Sequence, residues 1–181
     1  MKKTLIALAA VAATGAAFAQ SSVTLYGVAD VAVGKTNNAG LGLANDKFQA
    51  IASNVLNNGN SRFGLKGTED LGGGLKAGFN FEGGINIANG AGNTSGGQLF
   101  SRAANVSLLG GFGEIRAGRS LTTSFYSVAA WELTGTANYS VVANQFSFGG
   151  AGPRDSAQVM YNSPKFGGLS FSVSTVLKAN G

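Results

Sequence analysis

Between residues 61 and 82 the chain alternates with a period of two, and no other feature constrains its fold as tightly. Phe63, Leu65 and Gly67 share one face, against Arg62, Gly64, Lys66 and Thr68. Leu75, Ala77, Phe79 and Phe81 then oppose Lys76, Gly78, Asn80 and Glu82. Successive side chains on a strand point to opposite faces, so each of these strands meets two different solvents. The intervening Asp70-Leu71-Gly72-Gly73-Gly74 supplies glycines that can take positive φ, as a tight reversal needs. The same period runs from Val23 to Gly34, which reads as one strand. At roughly 3.3 Å per residue it is long enough to cross a bilayer at a tilt.

Hydrophobic residues make up 44% of the sequence, yet beyond residue 20 they form no continuous apolar run. Apolar content spread by alternation is the signature of a transmembrane β-barrel, which a hydropathy scan misses. The 29 glycines and two prolines also speak against long helices, because glycine costs about 1 kcal/mol relative to alanine inside one.

Four more strands are expected, making about seven. The fourth spans about residues 99–108 with mixed faces: Arg102 has the parity of Ala104, Val106 and Leu108. A bulge or a protein-facing wall would account for that mixture. The fifth spans 113–118, the sixth about 156–163, and the seventh sets Leu169, Phe171, Val173 and Leu177 against Ser170, Ser172, Ser174 and Lys178. The connections alternate in length: residues 36–60, 84–97 and 119–155 are long, whereas 70–74, 109–112 and 164–168 are short. Outer-membrane barrels place short turns at one end and long loops at the other.

The first nineteen residues read as an export signal. Lys2 and Lys3 precede an apolar stretch, and Ala17-Phe18-Ala19 predicts cleavage before Gln20. A stretch this short does not span roughly 30 Å of hydrocarbon as a helix. Without Lys2 and Lys3 the formal net charge of +5 falls by two to +3, which leaves no nucleic-acid footprint. The sequence contains no cysteine and no histidine. It therefore lacks a disulfide framework, a Ser-His-Asp or Cys-His centre and the usual zinc ligands. No enzyme, cofactor or metal site is expected.

Four segments carry a family resemblance. QSSVTLYGVAD at residues 20–30 resembles the mature start of the general porins of β-proteobacteria. SRFGLKGTEDLGGGLKAGF at 61–79 resembles the hairpin of their second and third strands. GEIRAGR at 113–119 and YNSPKFGG at 161–168 are similar to two further signatures. The resemblance implies an all-β fold, a sixteen-stranded antiparallel barrel in the outer membrane. It further implies a homotrimer that passes small hydrophilic solutes, with a third external loop folded into the lumen opposite wall arginines. Residues 20–181 would be its front part, truncated after about seven strands, since relatives end in an aromatic residue and this chain ends at Gly181.

By the same resemblance Arg62, Arg102 and Arg154 match constriction arginines, and Arg119 stands at the entrance of the infolding loop. That loop is expected to hold a short helix, and between residues 120 and 152 its one acidic residue is Glu132, where relatives often carry several. Each arginine could instead be an aqueous-face filler paired with Asp30, Glu82 or Glu114. An arginine facing lipid costs about 2–4 kcal/mol at the midplane, so Arg62 and Arg116 belong in the lumen. Lumen and loop together would hold Arg62, Lys66, Lys76, Arg102, Arg116, Arg154 and Lys178 against Asp30, Glu82, Glu114 and Glu132. This balance predicts moderate anion preference. The expected partners are the outer-membrane bilayer, further copies of the chain, and diffusing small solutes and anions. A secreted β-rich adhesin or autotransporter passenger is the competing reading, although a repeat solenoid would need a fixed period that is missing.

Overall fold

The computed structural model of the chain describes residues 22–35, 47–52, 56–93, 97–145 and 152–178. The expected export signal at residues 1–19 lies outside the described residues. Among the described residues ten strands are present: β1 (Ser22–Val28), β2 (Ala32–Gly34), β3 (Gln49–Ile51), β4 (Arg62–Gly72), β5 (Leu75–Ile85), β6 (Gly92–Asn93), β7 (Ala103–Gly110), β8 (Gly113–Leu121), β9 (Arg154–Asn162) and β10 (Ser172–Val176). Two short helices, α1 (Thr123–Ala129) and α2 (Val141–Gln145), lie between β8 and β9.

The wall follows the order β1-β4-β5-β7-β8-β9-β10, with β6 added to β5, and every pairing is antiparallel. Seven long strands thus neighbour one another in chain order, as the alternation predicts. Register carries each parity across the whole sheet: Thr24, Lys66, Asn80 and Asn105 fall on one row, and Leu25, Leu65, Phe81 and Ala104 on the next. The first row lies on the concave side and the second on the convex side. The convex side leaves Leu25 73% exposed, Val106 56% and Val173 58%. Burial is inverted relative to a water-soluble sheet: Asn57, Ser61, Ser140 and Gln158 are among the most buried side chains. No helix among the described residues is long and apolar enough to cross a membrane; the strands carry the apolar surface.

The hairpin turns β4–β5, β7–β8 and β9–β10 lie at one end, and the long connections lie at the other. At the first turn Gly72 has a φ of 81°, and its N–H donates to Asp70 Oδ1 at 2.9 Å.

Five boundaries depart from the sequence reading. The expected strand from 23 to 34 breaks at residues 29–31, because Asp30 turns the chain. Its N–H donates to Ser61 Oγ at 2.8 Å, and its carboxylate accepts from Asn57 Nδ2 and from the Gly59 N–H, each at 2.8 Å. Beyond this break β2 leaves the wall and pairs with β3, a strand inside the span expected to be loop. The mixed faces of residues 99–108 arise at the strand entrance, where Ala103 is the register partner of Glu82 and the Arg102 N–H also donates to the Glu82 carbonyl at 3.1 Å, two residues opposite one as in a β-bulge. The strand starts at Ala103, so Arg102 precedes the alternation rather than obeying it. The loop expected at 119–155 is narrower, since β8 runs to Leu121 and β9 starts at Arg154, and its described residues hold two helices rather than one. Finally, β10 begins at Ser172, because Phe166 and Leu169 close the preceding turn as a bridge.

Candidate functional site

The concave face and the β8–β9 loop enclose an open space of about 1270 Å³. The loop is fastened over that face at both ends. Thr122 caps α1 by accepting the Phe125 N–H at 3.1 Å. The helix then lies along the wall, where Arg116 Nη1 donates to the Tyr126 hydroxyl at 3.3 Å and Thr123 Oγ1 sits 3.4 Å from Ser174 Oγ. Farther along, Asn138 Nδ2 donates to Asn60 Oδ1 at 2.8 Å, and Tyr139 OH donates to Asn58 Oδ1 at 3.0 Å. The loop therefore reaches from β10 across to the segment before β4.

Glu82 is the hub of the enclosed wall. Arg102 Nε donates to its Oε1 at 2.6 Å, and Arg62 Nε lies 3.7 Å from its Oε2. Tyr26 OH stands 2.9 Å from both Glu82 Oε2 and Asn80 Oδ1, one hydroxyl proton shared between two acceptors. The Tyr26 ring occupies the space a Cβ on Gly64 would need: such an atom would stand 2.6 Å from it. Lys66 Nζ lies 5.3 Å from the same ring, in cation–π range. Arg154 Nε donates to the Arg102 carbonyl at 2.9 Å. Among the described residues no carboxylate forms an ion pair with it.

Below this row Glu114 and Arg116 share a face of β8 two residues apart. Arg116 Nη2 and Nε donate to the Glu114 carboxylate at 2.9 and 3.0 Å, and Asn162 Nδ2 donates to it at 2.9 Å. Asp30 also lines the space. Its carboxyl is held below the usual carboxylate range, chiefly by the Asn57 amide and then by the Gly59 N–H.

Of the residues singled out in sequence, Arg62, Lys66, Arg102, Arg116, Arg154, Asp30, Glu82 and Glu114 line the space. Arg119 and Glu132 lie outside that lining. Arg119 shares parity with Ile115 and Ala117; its Nε donates to the Ser101 carbonyl at 2.6 Å and its Nη1 to Ser156 Oγ at 2.8 Å. Glu132 turns back into its own loop, accepting from the N–H groups of Thr134 and Thr136 and from the hydroxyls of Thr134 and Ser140. These donors, the Thr134 hydroxyl first, hold its pKa at about 2. Lys76 and Lys178 are also off the space. Lys76 sits at the short-turn end opposite Asp70, and Lys178 follows the end of β10. The filler pairing considered for the arginines exists for Arg62 and Arg102 on Glu82 and for Arg116 on Glu114, while Arg154 is outside it. Sequence reading passed over Tyr26 and Tyr126. Tyr26 had the right parity and only an unremarkable residue type, and Tyr126 is brought in by the loop.

A curved antiparallel wall with an apolar outside, a charged inside and a loop laid across that inside is the architecture of an outer-membrane β-barrel. Comparison with known proteins agrees. The sequence profile of the Gram-negative porins matches residues 4–181, and the chain belongs to that family. Outer membrane porin protein 32 of Delftia acidovorans is 43% identical over 175 residues, covering 93% of this chain and 48% of its own length. An outer membrane porin protein of Bordetella pertussis is 35% identical over 99% of this chain and 49% of its own. The solved structure of the anion-selective porin from Comamonas acidovorans superposes with a TM-score of 0.67 at 33% identity, over 87% of this chain and 47% of that one. The chain thus spans about half the length of the relatives it matches, and its place is in the bacterial outer membrane.

Proposed function

We propose that this chain builds one wall of a passive diffusion channel for small hydrophilic solutes and ions, moderately anion-preferring, in a homotrimer. It acts as a conduit and not as an enzyme. The charge on the concave face carries this reading: Arg62, Lys66, Arg102, Arg116 and Arg154 outnumber Asp30, Glu82 and Glu114 among the residues lining the space. Fixed positive charge in a narrow aqueous path enriches anions locally. The enrichment fades as salt shortens the Debye length from about 30 Å at 0.01 M to about 3 Å at 1 M. The anion selectivity of the Comamonas acidovorans relative supports the sign. The apolar convex face argues against a soluble passenger domain, which would present that face to water.

The test is the reversal potential of the purified outer-membrane channel containing this chain, in a planar bilayer under a KCl gradient. Anion preference is expected, larger at low salt and much reduced when Arg62, Arg102 and Arg154 are all changed to glutamine. Cation preference, or a potential unmoved by the triple change, would overturn the proposal.

A further inference from the structure

Arg102 sits one residue before β7, where its N–H donates to the Glu82 carbonyl of β5 at 3.1 Å, and the carbonyl side of the same backbone lies outside the strand ladder. Two arginines, from β8 and β9, hold the carbonyls there. Arg154 Nε holds the Arg102 carbonyl at 2.9 Å, and Arg119 Nε holds the Ser101 carbonyl at 2.6 Å. Arg119 is itself tied across β9 by Nη1 to Ser156 Oγ at 2.8 Å, while its own carbonyl accepts from Asn105 Nδ2 at 2.9 Å. Ser101 is buried, so its carbonyl requires a partner.

We infer that Arg119, which does not line the channel, is a positioning residue for its selectivity. It rivets the 101–102 backbone between β7 and β9 so that the Arg102 side chain meets Glu82 in one geometry. The inference rests on the channel reading above and deepens it. The role needs a planar fork: Nε and Nη1 satisfy two acceptors on two segments at once. A lysine ammonium brings the same charge on a flexible stem without that fixed geometry. Charge and position can therefore be separated by substitution.

The experiment compares wild type, Arg119→Lys, Arg119→Gln and Ser156→Ala in the intact outer-membrane channel. Reversal potential under a KCl gradient is read beside heat-modifiable migration, which reports folding. A positioning role predicts that R119K loses anion preference nearly as R119Q does, and that S156A, with no change in charge, shifts the same way by less. An R119K channel as anion-preferring as wild type would overturn the inference, since charge alone would then account for any loss in R119Q. Should R119K fail to fold, S156A decides: a shift supports the rivet and an unmoved potential removes it. Cation preference in the wild type would instead refute the channel reading itself.

Discussion

On the convex face Leu25 is 73% exposed and Val173 58%, whereas on the concave face Gln158 and Met160 are 1% exposed. These positions belong to the same seven strands, and Leu25 and Thr24 are adjacent in sequence. The contrast shows where each face finds its partners. Hydrocarbon packs the outside, so its residues need only be apolar. The inside must satisfy its own charges, and it does so through Glu82 with Arg62 and Arg102, and Glu114 with Arg116. Tolerance should follow the same division, with the outer face indifferent to shape and intolerant of charge and the inner face the reverse.

The largest expected effect comes from placing one charge on each face at one depth. Leu25 pairs Leu65, and Thr24 pairs Lys66. Leu25→Arg should cost about 2–4 kcal/mol in a bilayer, as an arginine facing lipid near the midplane does. Thr24→Arg meets water and one like charge across the strand pair, a cost of up to about 1 kcal/mol. Urea unfolding in lipid vesicles measures both. Equal costs would break the assignment of faces.

A smaller effect separates the wall from its loop. The Glu132 carboxyl sits at about 2 against an ordinary 4.5, so its contribution to loop order is fully present above about 4.5 and is lost as pH falls through about 2. Trp131, the single tryptophan, stands beside it and is 83% exposed, a built-in reporter. Its fluorescence should change between those pH values while the strand circular dichroism holds, and Glu132→Gln should abolish the change. A transition that survives the substitution would place its origin elsewhere.

The wall was legible in sequence because alternation is local: β4 and β5 could be read residue by residue, and pairing in chain order followed from the alternating loop lengths. The misreadings came from hydrogen bonds that strand parity does not encode, most of them long-range. Asp30 has the parity of a strand residue, and only its partners Ser61, Asn57 and Gly59, some thirty positions away, show that it ends β1. Arg102 looked anomalous because its role depends on Glu82, twenty residues back. Glu132 read as a pore charge because parity says nothing of a turn closed on itself, in which its oxygens accept from Thr134, Thr136 and Ser140 of the same loop. Arg119 belongs to the same class, since its partners Ser101 and Ser156 lie on two other segments.

The central claim is that one face of these strands meets water inside the barrel and the other meets lipid. The sequence contains no cysteine, so single introduced thiols report without background. Along β7, cysteines at Ala104, Asn105, Val106, Ser107 and Leu108 should be exposed in turn to a membrane-impermeant maleimide, with the protein in lipid vesicles. Modification needs the thiolate, which water supports and hydrocarbon suppresses. The account predicts labelling at Asn105 and Ser107 with protection at Ala104, Val106 and Leu108. Uniform labelling, or the opposite alternation, would contradict it.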